Sequence, residues 1–512
     1  MKTPFNILDF LDRAEHVYGD RVGVIDEPDQ PADSWGRLTW RQVAGHARAM
    51  AAGLDSLGVG RGERVAIVSQ NSARLLVALF AVSGYGRVAV PINFRLNADE
   101  VRYIVEQSGA SVLLIDPELD DALADVDAPH RFVLGRESDA ALLRFDRQPN
   151  PWVDPSEDAI ASINYTSGTT ARPKGVELTH RNLYVNALTF GWHAGVSDRD
   201  VYLWAVPMFH CNGWGMVYAI TGMGGTHVML RKVDGPEILR RIDREGVTFM
   251  GGAPAVVSTI LAAAAARPGP TPGRDHVRIV VGGAPPPTAV IERVETELGW
   301  EFIQIYGLTE TSPLLTLNRR RAEWDDLTPA GRALRLGRAG PPAIGVKVRI
   351  DEEGEVLARG NVVFRGYWEQ PDETAKVVAD GWFHTGDGGR LDDQGYLTIS
   401  DRKKDVIITG GENVSSIEVE DVLVQHPAVA EAAVFGVPDA KWGETVKALV
   451  VLQPGGHATE DALIEHCRER LAHYKCPTSV DFNGALARTA TGKVQKFKLR
   501  APFWEGRDRL VN

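Results

Sequence analysis

Short β-branched and aliphatic runs alternate with helical patterns along most of the 512-residue chain. Runs 64–68, 111–115, 159–165, 277–281 and 302–306 are nearly continuous in apolar residues and predict buried strands. Between them, 73–82 repeats apolar residues three and four apart, the spacing of a helix. Buried strands separated by helices predict α/β layers whose sheets are covered on both faces. The chain's start reads as an amphipathic helix with Thr3 as cap and Pro4 at the first helical position. Two stretches fit the alternation poorly. Residues 117–151 mix charge with proline, and 319–338 hold six arginines; both are expected to be exposed connections.

The texture changes near residue 401. A strand at 395–400 runs into Asp401-Arg-Lys-Lys-Asp405. Beyond it, Ser415 and Glu418 form the capping box of a helix, strands follow at 430–435 and 446–451, and a helix at 460–471. The division predicted is a body over 1–401 and a second unit over 402–512, within the usual domain size. The charged stretch is either a solvated loop or a hinge, and periodicity favours the loop.

Composition narrows the class. Hydrophobic residues make up 44% of the chain, too many for a disordered one. The 56 basic and 68 acidic residues give a net charge of −12, which argues against nucleic acid or an anionic membrane as main partner. Cys211, Cys467 and Cys476 form neither a disulfide framework nor a zinc-ligand spacing. Asp9 and Asp12 interrupt any signal-peptide core, and the most apolar stretch, 255–266, is too short to span a bilayer. A soluble protein of the reducing cytoplasm is expected.

The strongest chemical signal is Tyr165-Thr-Ser-Gly-Thr-Thr-Ala-Arg-Pro-Lys-Gly175. Hydroxyls and backbone N–H groups of Thr166, Ser167, Gly168, Thr169 and Thr170 can converge on one anion, and Lys174 adds a point charge. It is not a Walker loop, because glycine follows Lys174 and 176–178 predicts a strand rather than a helix.

Followed in order by Gln304-Ile-Tyr-Gly-Leu-Thr-Glu310, Gly381-Trp-Phe-His-Thr-Gly-Asp387, Asp401-Arg-Lys-Lys-Asp405 and Thr489-Ala-Thr-Gly-Lys493, this run resembles the ANL superfamily of adenylate-forming enzymes, and within it the acyl-CoA synthetases. The likeness covers nearly the whole chain. It departs at Ala171, where glycine is usual. The resemblance implies a large N-terminal α/β domain of layered subdomains with a distorted β-barrel, followed by a small mobile C-terminal α+β domain. It implies adenine binding by Gln304, Tyr306 and Gly307, and Mg2+-ATP binding by Thr309 and Glu310, with Thr166 beside the metal. Asp387 would hold the ribose, next to Ile399 and Arg402. Lys404 would be the pivot, Gly410, Gly411 and Glu412 the face turned to CoA, and Lys493 the catalytic lysine. His210, Gly213 and Trp214 would line the acyl pocket, His210 at its carboxylate end and Trp214 as a gate. Gly282, Gly283, Ala284 and Pro285 would form a wall shared with adenine.

Taken singly, Glu310 is an acid at a helix start, Asp387 a turn cap, His210 a core residue and Lys493 a loop lysine. The shared order of the motifs changes those readings. The expected reaction is ATP-dependent conversion of a medium-chain, long-chain or bulky hydrophobic acid to acyl-AMP, then to acyl-CoA. Release of the adenylate to a carrier protein or partner enzyme is the alternative. Expected partners are the acid, ATP and CoA, with no nucleic acid and no integral membrane segment; a homodimer is left open.

Overall fold

The computed structural model describes residues 2–166, 172–402, 405–409, 412–439, 441–489 and 494–505, leaving out the side chain of Arg402. The predicted strands form two large sheets. One has seven strands in the order Gly366–Tyr367, Lys174–Thr179, Ile160–Thr166, Val88–Ile92, Arg64–Val68, Ala110–Ile115 and His130–Val133. The other has eight, running from Leu314–Arg319 through Glu301–Gly307, Arg278–Val281, Phe249–Gly252, Val201–Leu203, Thr226–Val228 and Val22–Ile25 to Arg37–Thr39. Their central strands pair in parallel, and antiparallel pairs close the edges except at His130–Val133, which pairs in parallel with Ala110–Ile115.

The helix Ala73–Ser83 lies between these sheets, and all of its residues are buried. Its apolar side chains share one core with Val65 and Val112 of the first sheet and Phe249 and Ile303 of the second. That accounts for a helix apolar around its whole circumference. Ser72 caps it by accepting the Leu75 N–H at 3.2 Å.

A smaller antiparallel sheet follows, formed by Val346–Ile350, Glu355–Gly360, Trp382–Leu391, Val378–Ala379 and Leu397–Arg402. The last sheet uses only strands from Ile407 onward: Ile407–Thr409, Glu412–Val414, Val429–Asp439, Gly443–Leu452 and Ser479–Phe482. It has its own core, in which helices Ser416–Val424 and Glu460–Arg468 contribute Val419, Leu423, Leu463 and Cys467.

Four local expectations change. The first helix is Leu8–Tyr18, not one begun by Thr3 and Pro4. The Asn6 side chain accepts the Leu8 N–H at 3.0 Å, while Phe5 stacks on Tyr184 with ring centroids 4.5 Å apart, drawing the leading residues out along the body. Ser415 does cap Ser416–Val424, but Glu418 turns away to Lys475 at 2.7 Å, so the reciprocal bond of a capping box is not made. The stretch 117–151 contains the strand His130–Val133 and helix Arg136–Leu142, and it buries Leu123, Val126 and Leu142. The arginine-rich stretch is likewise packed. Trp324 and Leu336 are buried, Arg332 pairs with Glu295, and Arg338 pairs with Asp392 at 2.8 Å.

Candidate functional site

Several motif residues lie at the carboxyl ends of parallel strands, Thr166 at the end of Ile160–Thr166, Gly283 after Arg278–Val281 and Glu310 after Glu301–Gly307, where open α/β sheets present ligand sites. Thr166 ends one strand and pairs in register with Lys174 of the next, so the hydroxyl-rich loop closes a hairpin. Ser167, Gly168, Thr169 and Thr170 lie outside the described residues, as do Lys404, Gly410, Gly411 and Lys493.

A line of polar groups leads away from the hairpin. Lys174 Nζ is ion-paired with Glu373 and lies 5.1 Å from the centre of the Tyr367 ring, within cation–π range. The Tyr367 hydroxyl donates to Glu310 Oε1 at 2.9 Å. Burial and the neighbouring Glu310 carboxylate both push the Tyr367 pKa up, so the phenol keeps its proton as a donor. Hydrogen bonds from Lys174 and Lys376 hold Glu373 down at about 2, and it stays ionised. Tyr367 and Glu373 were missed by sequence reading. The only local trace is the Glu373–Lys376 spacing of one helical turn.

Glu310 follows the strand Glu301–Gly307, which also carries Gln304 and Tyr306. Gly307 has no space for a side chain, because a Cβ there would lie 1.5 Å from the Pro313 carbonyl oxygen. The Tyr306 hydroxyl donates to Asp387 Oδ2 at 2.8 Å, joining the second large sheet to the small antiparallel one. Asp387 is held in turn. Its N–H donates to Thr385 Oγ1 at 3.1 Å, and the preceding Gly386 N–H donates to Glu355 Oε1 at 2.8 Å. Gly386 supplies the left-handed φ of 73° that this turn uses. Asp387 stands opposite Arg402 in the register, with Ile399 on the same strand opposite Gly389. Glu412 is exposed on the strand Glu412–Val414, in the separate last sheet.

Gln304 is buried, and its Oε1 has no hydrogen-bond partner among the described residues. An unpaired buried carbonyl is costly, so this atom marks a place for a donor. Ala284 is half-buried, whereas Gly283 and Pro285 are exposed. Gly283 takes a φ of 86° and has open space where a Cβ would stand.

The acyl-side residues adopt an unusual turn. Cys211, Asn212, Gly213, Trp214 and Gly215 have φ values of 47°, 50°, 62°, 60° and 80°, a continuous left-handed stretch. Each non-glycine residue there costs roughly 1–2 kcal/mol relative to the right-handed form, strain of the kind stored at functional sites. His210 opens the turn, with its N–H donating to the Pro207 carbonyl at 3.1 Å. The buried Cys211 thiol donates to Thr309 Oγ1 at 3.4 Å; burial pushes its pKa up to about 12, so it is no nucleophile at neutral pH. Trp214 is 6% exposed, and a Cβ on either Gly251 or Gly282 would stand 3.4 Å from its ring. The indole therefore lies against both glycines and fills volume that the small residues alone had suggested was open.

A lysine, two tyrosine hydroxyls, carboxylates and an unpaired amide oxygen thus gather about the strand Glu301–Gly307, a set suited to handling a nucleotide. Residues 11–368 match the AMP-binding enzyme family and 418–493 match the AMP-binding enzyme C-terminal domain. The chain belongs to this family, within the ANL superfamily of adenylate-forming enzymes. It is 38% identical to 2-methylpropanoate–CoA ligase CCL4 of Humulus lupulus, over 97% of this chain and 95% of that one. Identity to 4-hydroxybutyrate–CoA ligase 2 of Metallosphaera sedula is 36%, over 96% and 93%. Among solved structures, it is similar to the anthranilate CoA ligase AuaEII in complex with anthranoyl-AMP, with a TM-score of 0.87 and 27% identity over 98% of both chains.

Proposed function

We propose that this chain is an acid–thiol ligase that activates a carboxylic acid with ATP and passes the acyl group to CoA. The observation that carries the proposal is the Tyr306–Asp387 bond, 2.8 Å long, which joins an aromatic ring, two residues along the strand from the unpaired Gln304 Oε1, to a carboxylate. An adenine amino group suits that oxygen, and vicinal ribose hydroxyls suit Asp387 and Arg402. Lys174, Thr166 and the hydroxyl loop meet the phosphates. Glu310 and Thr166 offer the oxygen donors that a hard cation prefers, so Mg2+ fits here and would supply neutralisation of phosphate charge.

A carboxylate oxygen of the acid attacks the α-phosphorus, and pyrophosphate leaves with the electrons of the broken P–O bond. The CoA sulfur then attacks the acyl carbon, AMP leaves with the original carboxylate oxygen, and the thiol proton is released. Positioning and charge stabilisation carry both steps. Lys493, supplied by the 402–512 unit, bridges carboxylate and α-phosphate in the first step. Rotation at Lys404 then brings Gly410, Gly411 and Glu412 toward CoA for the second. His210 stands at the carboxylate end of the acyl pocket.

The acyl group is a short or branched aliphatic one. Trp214 across Gly251 and Gly282 supports a shallow pocket rather than a long tunnel, and the 2-methylpropanoate and 4-hydroxybutyrate ligases named above are named for acids of that size. This acid is smaller than the medium-chain, long-chain or bulky one expected from the sequence. The three cysteines, all buried and unpaired, suit a reducing compartment, and we place the enzyme in the cytoplasm.

A panel of linear, branched and aryl acids with ATP and Mg2+, followed by pyrophosphate release, tests the reading. Mass spectra taken with and without CoA identify the acceptor. Short and branched acids are expected to give AMP, pyrophosphate and acyl-CoA. Pyrophosphate release with no acid on the panel would refute the activity.

A further inference from the structure

The helix Ser416–Val424 opens the unit beyond the charged joint, and it is tied to the large body at two places. At its start, Ser416 donates its N–H to Asp401 Oδ2 at 2.6 Å and its hydroxyl to Oδ1 at 2.7 Å. The Ser415 hydroxyl donates to the Ser400 carbonyl at 2.9 Å. Asp401 belongs to Leu397–Arg402, which pairs with the strand of Asp387, so this tie sits on the body's side of the joint. Farther along the helix, Asp421 Oδ1 accepts the Thr288 N–H at 2.8 Å and the Thr288 hydroxyl at 3.1 Å. Thr288 begins the helix Thr288–Arg293 immediately after the 282–287 segment that lines the cleft.

The two ties respond differently to rotation at the joint. Asp401 stands three residues before Lys404 in the chain, so its tie to Ser416 lies close to the joint. Asp421 is about 7 Å farther along the helix at 1.5 Å rise per residue, so a turn about the joint displaces it by several ångströms. A hydrogen bond of 2.8 Å does not survive such a displacement. Beneath the helix, Lys496 pairs with Glu420 at 2.7 Å and donates to the Ser416 hydroxyl, which keeps the helix in register with the segment that follows Lys493.

We propose that the Asp421–Thr288 pair is an orientation latch. It holds the small unit in the arrangement described, and it opens when the unit turns for the other half-reaction. Asp421 is a positioning residue that touches no substrate. Because Thr288 continues directly from the cleft wall, movement of that wall is felt at the latch. The proposal rests on the two-step reading given above.

The test compares Asp421→Ala with Asp421→Asn, which keeps the accepting oxygen. Two rates are measured separately: pyrophosphate release from acid plus ATP, and acyl-CoA formation from supplied acyl-adenylate. A third readout needs no catalysis, namely tryptic cleavage at Arg402, Lys403 and Lys404. Asp421→Ala is expected to change the ratio of the two rates by about fivefold or more, the effect of roughly one hydrogen bond, and to speed cleavage at the joint. Asp421→Asn is expected to stay near the parent ratio. Where both half-reactions are measurable, an unchanged ratio overturns the latch, including the case in which both rates fall equally. If the parent protein activates no acid, the two-step reading fails, and cleavage decides the latch alone: equal rates for parent and Asp421→Ala overturn it.

Discussion

Lys174 has two claims on its single charge, the Glu373 carboxylate with which it pairs and the phosphates of the nucleotide proposed for this site. A nucleotide must draw the ammonium away from a carboxylate held ionised at about 2. Glu373→Gln removes that competition. A severalfold lower KM for ATP is expected in pyrophosphate-release assays, with little change in kcat. A higher KM would show instead that Glu373 holds Lys174 in place for the nucleotide. Lys174, Glu310 and Asp387 were legible because each sits in a short run whose residue types share one task. Tyr367 and Glu373 were not. They reach Lys174 only because the short strand Gly366–Tyr367 pairs antiparallel with Lys174–Thr179, a partnership between segments far apart in the chain.

At the scale of elements, the left-handed stretch from Cys211 to Gly215 sets the direction of the Trp214 indole, and with it the depth of the acyl pocket proposed above. Trp214→Ala removes the ring that lies against Gly251 and Gly282, and the preferred acid is expected to shift to longer chains. Relative kcat/KM across a chain-length series measures this, and an unchanged preference would place the end of the pocket elsewhere. Trp214 as a gate and Gly282 as part of a wall were expected from the sequence; the contact of the indole with Gly251 and Gly282 was not legible, because its direction depends on backbone angles that only the packed turn imposes. Helix starts failed for a similar reason. Thr3 and Pro4 make a good local cap, yet Phe5 gains more by stacking on Tyr184, and Glu418 finds Lys475 before its own backbone.

Two buried histidines give the elements a pH limit. His180 Nδ1 accepts the Ile7 N–H at 3.3 Å, and His227 Nδ1 accepts the Trp204 indole N–H at 3.0 Å. Burial lowers their pKa values from 6.5 to about 4 and about 3, so the unfolded chain takes up these protons first as the pH falls. Stability contributed by the neutral rings is present above 6.5 and is lost progressively as pH drops toward 4 and below. Denaturation midpoints between those limits are expected to slope downward with acidification, and His180→Gln should flatten part of that slope. An unaltered slope in the variant would assign the acid sensitivity to other groups.

At the scale of the molecule, two large sheets enclose a buried helix, Thr166 and Glu310 stand at strand ends while Gln304 and Asp387 lie within their strands, and the last sheet builds its core from strands beyond the joint. Layered α/β architecture was legible because nearly continuous apolar strands fit only sheets covered on both faces. The arginine-rich stretch was misjudged because its charges are neutralised by distant acids such as Glu295 and Asp392, which no local pattern reveals. The central claim is that the acid's own oxygen is transferred to the α-phosphorus and departs with AMP. Turnover of a carboxylate labelled with heavy oxygen in both positions, followed by mass analysis of the AMP, tests it most directly. One labelled oxygen in AMP and one in the thioester carbonyl is the expected result; unlabelled AMP, or label in pyrophosphate, would contradict it.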